Sequence, residues 1–136
     1  KPVMETLELV IVAAEWGEGK RATWLSSYTI ACVDDDGNFL EIGKVGTGIK
    51  EKSEGVTFKE MTELLKPLIT SQKGRKVILK PHVVIEVNYE EIQKSPTYSS
   101  GFALRFPRLV AVRDDRLAED ASSLDMVEDL YYSQKK

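Results

Sequence analysis

Cysteine and histidine are nearly missing from this 136-residue chain, which holds one of each, Cys32 and His82. A single thiol excludes an internal disulfide and any cysteine-based zinc site, and it fits a reducing compartment. A single imidazole excludes a histidine-cluster metal site. Long apolar runs are missing as well: residues 9–14 (LVIVAA) are far too few to cross a bilayer. No signal peptide is visible, and an opening Lys-Pro in place of Met reads as a piece of something longer. Glycine and proline occur at ordinary frequency, which sets aside collagen-like and low-complexity chains. What is present is 42% hydrophobic and 30% charged, enough to pack a core at the usual size of one domain.

The net charge of −3 at first argues against a nucleic-acid partner. Its distribution argues otherwise. Residues 117–136 carry five acids against Lys135 and Lys136, so this tail accounts for the whole net charge. Residues 105–116 hold four arginines against Asp114 and Asp115, and a local basic surface is open to the rest of the chain.

Hydrophobic patterning predicts a first strand at 7–14, buried on both faces, then a polar glycine-containing loop at 15–21 (EWGEGKR). A second strand at 24–33 alternates, and Asp34-Asp35-Asp36-Gly37 signals a hairpin into a third strand at 39–45. Thr57-Phe58-Lys59-Glu60 has the form of a capping box. Phe58, Met61, Leu64, Leu65 and Leu68 then recur at helical spacing, with Pro67 ending the helix. Residues 71–74 read as a polar loop. A fourth strand follows at 83–89, a loop at 94–101, and a last strand at 103–112 in which Pro107 requires an edge or a bulge. Leu124, Val127, Leu130 and Tyr131 mark a terminal helix beginning near Ser122 and Asp125. A helix between the third and fourth of five strands is the element order of the OB-fold. The expected architecture is therefore mainly β: a five-stranded OB-fold barrel over 1–116, with 117–136 a helical extension of the same domain.

Few residues are poised for chemistry. Gly19-Lys20 resembles the end of a phosphate loop, but Ala14 and Arg21 stand where glycine and Ser or Thr are needed. Lys20 and Arg21 are then either a solvated loop or backbone contacts to nucleic acid. In the last strand, guanidinium forks at Arg105 and Arg108 suit phosphate, and Phe106 between them could stack on or wedge against bases and sugars. Arg105 and Phe106 should point to opposite faces of that strand. The competing reading pairs these arginines with carboxylates and buries Phe106. Residues 113–116 alone would read as a polar turn. His82 and Cys32 read as structural, and neighbouring Glu90 and Glu91 should face opposite ways, which precludes joint acid–base work.

Several segments together resemble the C-terminal OB domain of ATP-dependent DNA ligases of the archaeal and eukaryotic replicative type. Residues 7–12 (LELVIV) resemble that family's "LDLVV" strand, 15–22 (EWGEGKRA) its first loop, and 44–48 (KVGTG) its "K-x-GTG". Ser95-Pro96-x-Tyr98 and 104–108 (LRFPR) resemble the approach to its fifth strand, and Arg113-Asp114-Asp115-Arg116 its motif VI, Arg-x-Asp-Lys. The chain departs from the family at Arg116 for lysine, Ala13 for glycine and Leu109 for an aromatic residue. The nucleotidyltransferase domain with its adenylated lysine would precede Lys1, itself resembling the last lysine of motif V.

The resemblance implies three steps: AMP passes from ATP to a lysine, then to the 5′-phosphate of a nick, and is displaced by the 3′-hydroxyl. Arg113 and Arg116, with Asp115 orienting one of them, would stabilise the departing pyrophosphate when this domain closes over the nucleotidyltransferase domain. Phe106 would press into the minor groove near the nick, flanked by Lys20, Arg21, Arg105 and Arg108 on phosphates. ATP and Mg2+ serve the full enzyme, and this fragment alone should bind neither tightly. Nicked duplex DNA is the expected partner, with a sliding clamp as a further one, in the cytoplasm or a eukaryotic nucleus. A stand-alone OB module that coats single strands is the alternative, and it calls for several exposed aromatics along a basic groove.

Overall fold

The apolar run near the start of the chain becomes β1 (Glu5–Trp16), the strand around which the sheet is organised. In the computed structural model, which describes residues 5–17, 24–46 and 58–134, β1 is buried on both sides. Leu7, Leu9 and Ile11 enter the main core, while Val10 joins a smaller cluster with Val33, Val84 and Ala121. Burial on both faces is why the run shows no polar alternation.

The second strand, β2 (Leu25–Val33), pairs antiparallel with β1 and with β3 (Phe39–Val45). Their connection is the expected Asp-Gly turn. The Asp34 carboxylate accepts the N–H groups of Asp36 and Asn38 at 2.9 and 2.8 Å, and Gly37 takes the positive φ of +83° that a side chain would disfavour. Helix α1 (Phe58–Leu65) follows, with a 3-10 turn at Lys66–Leu68 that contains Pro67. Met61 and Leu65 are fully buried, and the Thr62 hydroxyl accepts the Leu25 N–H at 2.9 Å, docking the helix on β2. Thr57 of the capping box lies outside the described residues.

Where a polar loop was expected at 71–74, the chain forms a hairpin of β4 (Ile69–Lys73) and β5 (Lys76–Leu79). Val77 and Leu79 supply its buried side, and β5 pairs with the second half of β1. The first half of β1 pairs instead with β6 (Val84–Tyr89). A register shift between Ile11 and Ala13 accompanies this exchange of neighbours, as a bulge bends a strand. The expected fourth strand stands as β6, an unexpected short strand follows it, and the expected fifth strand is broken in two. After β6 comes β7 (Glu91–Lys94), then β8 (Phe102–Arg105) and β9 (Arg108–Val112), with the break at Phe106-Pro107. β6 pairs with β9, and β7 with β8.

The β4–β5 hairpin, β7 and the split of the last strand thus bring five expected strands to nine, yet the helix between the third and fourth strands of the expected order stands, and the architecture is mainly β and OB-like. The sheet is not closed by a continuous ladder among the described residues. Between β3 and β8 the gap is bridged where Ser100 N–H donates to the Glu41 carbonyl (3.1 Å) and Glu41 N–H to Ser99 Oγ (2.9 Å).

The tail returns to the strands. Glu8 N–H donates to Ser122 Oγ (3.0 Å), and Ser122 N–H to the Glu8 carbonyl (2.7 Å). Helix α2 (Leu124–Gln134) starts under a cap from Ser123, one residue later than Ser122, because the Ser123 hydroxyl accepts the Met126 N–H (3.1 Å). Tyr131 packs on Phe102 at 5.2 Å, and the Gln134 amide brackets the backbone of Ile92. No helix among the described residues is long and apolar enough to cross a membrane.

Candidate phosphate and nucleic-acid surfaces

Strand β9 carries a candidate surface at each end. Just past its C-terminal end, Arg113 N–H donates to the Val84 carbonyl at 2.8 Å, which fixes the residue's backbone against β6. Its guanidinium is shared among three carboxylates. Nη1 donates to Glu8 at 2.6 Å and lies 3.8 Å from Glu86, while Nε and Nη2 form a fork on Asp115 at 3.2 Å each. Arg116 Nη2 reaches the other oxygen of Glu8. The Asp115 hydrogen bond is the main reason that Arg113 holds its proton even more firmly than usual, and the same bond pulls the Asp115 carboxyl below the ordinary range.

Glu8 and Glu86 are direct cross-strand partners on β1 and β6. Two like charges in that position repel, and Arg113 between them removes the penalty. The result is a partly exposed pair of arginines whose forks are oriented before any ligand arrives. They border a cleft of about 160 Å³ with Leu64, His82 and Leu117. His82 is exposed there. Spacing gave no sign of Glu8, which lies 105 residues from Arg113. Only the fold brings it in.

At the other end, Phe106 has φ +52°, a left-handed conformation that a bulky side chain rarely adopts, and the residue is 59% exposed. A buried Phe106 is therefore overturned. Nor do Arg105 and Phe106 point to opposite faces of one strand. The strand is interrupted here, and the Arg105 guanidinium lies over the ring, 5.1 Å from its centroid. Arg105 also pairs with Glu91 at 3.4 Å, directly across β7 and β8, while Glu90 in the bend before β7 faces a different environment. Arg108 is exposed and has no ion pair among the described residues. With Lys44, Asn88, Glu90, Phe106 and Pro107 it lines an open groove of about 920 Å³. Asn88 Oδ1 is buried without a hydrogen-bond partner, and Lys44 Nζ sits 3.5 Å from Glu15. Lys44 opens the K-x-GTG resemblance, whereas Asn88 did not stand out in the sequence, since a lone Asn in a strand carries no spacing signal.

Lys1, Lys20 and Arg21 lie outside the described residues. Cys32 is buried, as its alternation suggested, and burial pushes its thiol up to about 11. Among the described residues, no three of the His, Cys, Asp and Glu side chains group to hold a metal ion.

Comparison with known proteins identifies the family of this chain. Residues 21–116 match the family model described as the ATP dependent DNA ligase C terminal region. The chain is 59% identical over 139 residues to a DNA ligase of Nanoarchaeum equitans, covering 99% of this chain and 24% of that protein. It is 49% identical over 137 residues to a DNA ligase of Thermococcus fumicolans, covering 100% and 24%. It thus spans about a quarter of the length of these curated relatives. Among solved structures, the ligase domain of LigD from M. tuberculosis superposes with a TM-score of 0.69 at 25% identity, over 87% of this chain and 38% of that one. With most of the chain matched by one family model, and relatives about half identical across its whole length, the chain belongs to the C-terminal region of the ATP-dependent DNA ligases.

Proposed function

We propose that this domain serves the full ligase twice, with a different end of β9 each time. In the first task it closes over the nucleotidyltransferase domain while ATP adenylates a lysine there. Negative charge then collects on the departing pyrophosphate, and Arg113 and Arg116 stabilise it as oriented cations that perform no covalent chemistry. Glu8 and Asp115 hold the two forks. In the second task the domain turns its other end to nicked duplex DNA. Phe106 presses into the minor groove beside the nick, while Arg105, Arg108, Lys20 and Arg21 meet phosphates. Residues 117–136, taken with 1–116 as one unit, keep their acids away from the DNA.

The observation that carries this reading is separation along one strand. Phe106 and Arg113 flank β9, roughly 20 Å apart at the rise of an extended chain. One set of cations is preorganised by carboxylates, and the other surrounds an exposed ring. The full enzyme of this family is ATP-dependent and implies a divalent metal. The acids near Arg113 are committed to guanidiniums and do not form a metal site, so no step here runs through one. A sliding clamp and a cytoplasmic setting belong to the same proposal. The single-strand coating alternative is disfavoured because, among the described residues lining the groove, Phe106 is the sole aromatic.

Single-turnover kinetics of the full-length ligase test the division. Arg113→Ala should slow lysine adenylation by about 10²–10³-fold, the usual cost of one preorganised charge donor, and leave sealing of a pre-adenylated nick nearly intact. Phe106→Ala should do the reverse. If both substitutions depress both steps equally, a packing defect in β9 is the better account.

A further inference from the structure

Residues 66–80 contain five cations (Lys66, Lys73, Arg75, Lys76 and Lys80) and no acid, in a chain whose net charge is −3. Three of them crowd the tip of the β4–β5 hairpin, where Gly74, at φ +62°, makes the tight reversal. Lys73 and Lys76 are exposed and directly opposite each other in the ladder. Like charges in that position work against the hairpin. No described carboxylate forms an ion pair with either of them.

The tip is firmly placed. The Arg75 carbonyl accepts the Trp16 N–H at 2.9 Å, which ties the turn to the end of β1. Lys76 lies opposite Glu15 on β1, and Glu15 meets Lys44 Nζ at 3.5 Å. Lys44 in turn borders the groove of Phe106 and Arg108. Lys73, Lys76, Glu15 and Lys44 therefore form one row across the sheet, from the hairpin to that groove. From β5 to β3 the row crosses three strand spacings, roughly 14 Å. At 3.4 Å per step, that is about four base pairs of duplex.

We propose that the β4–β5 hairpin is a second docking element for the phosphate backbone of duplex DNA, with Lys73 and Lys76 as its contacts. The inference rests on the reading of the Phe106 groove as the DNA surface and extends it. A phosphate held between Lys73 and Lys76 turns their mutual repulsion into a shared attraction, and the continuous row favours a DNA backbone over an acidic protein partner.

The test is fluorescence anisotropy of this chain with labelled nicked duplex across a salt series. Each phosphate contact contributes about 0.9 to the slope of log affinity against log salt, so Lys73→Gln/Lys76→Gln should lower the slope by about 1.8. The charge-matched control Lys59→Gln/Lys66→Gln, on and just after α1, should lower it far less. The hairpin variant should melt no lower than the parent, since the change removes a repulsion. An unchanged slope, or an equal loss in the control, overturns the hairpin proposal. If Phe106→Ala still weakens binding in that case, the groove reading survives alone. If the unsubstituted chain shows no salt-dependent duplex binding, both fall together.

Discussion

At the Arg113 end of β9, two guanidiniums are tied to Glu8, Glu86 and Asp115. At the Phe106 end, a ring stands exposed on left-handed backbone, and Arg108 has no ion pair among the described residues. The first region spends its charges on orientation and can present its forks to a ligand without reordering them. The second keeps its cations and ring exposed, fit for a partner whose position along a groove varies from one binding event to the next. The difference suits a fixed leaving group on one side and a sequence-indifferent polymer on the other.

Glu8 offers the sharpest way to break this comparison. In the full-length ligase, Glu8→Gln should slow adenylation by about 10–100-fold, corresponding to the roughly 1.5–3 kcal/mol of charge-assisted hydrogen bonds. Sealing of a pre-adenylated nick should be untouched, and Glu8→Asp should recover part of the loss. A Glu8→Gln enzyme that adenylates at the normal rate would mean the arginines need no positioning. At the other end of β9, the backbone is the target. Phe106→Gly should be more stable than Phe106→Ala by about 1 kcal/mol, because glycine accepts φ +52° freely, and both should lose duplex binding equally. Equal melting temperatures for the two variants would show that the turn relaxes once the ring is gone.

The smallest effect is in pH. Asp115 is held below the ordinary aspartate range by Arg113, so as pH falls the unfolded chain takes up that proton first. The stability contributed by this pair is present at neutral pH and disappears as pH drops from about 4 through the folded value. Melting curves of the chain and of Asp115→Asn should therefore converge in acid. Curves that stay parallel would remove Asp115 from the cluster's energetics.

Much of this was legible in the residues. The doubly buried β1, the Asp-Gly turn and the helix before Pro67 each rest on local chemistry, and each formed. The break at Pro107 was also visible, although not the left-handed backbone of Phe106 beside it. The β4–β5 hairpin was hidden because Ser71, Gln72 and Lys73 are polar and only Val77 and Leu79 turn inward. The Arg113 cluster was half visible. Its arginines and Asp115 are neighbours in sequence, but Glu8 and Glu86 arrive through strand pairing alone.

The stitch between Glu8 and Ser122 has a kinetic consequence. These residues are 114 apart, and the two hydrogen bonds between them close nearly the entire length of the chain. On a ribosome, β1 emerges first but cannot complete this edge until the tail has been made. Loop-closure entropy is then met late and all at once, which places the domain among slow folders for its size. During that wait β1 around Glu8 is paired on its β6 side and open on the other, an edge that can mispair with a neighbouring copy.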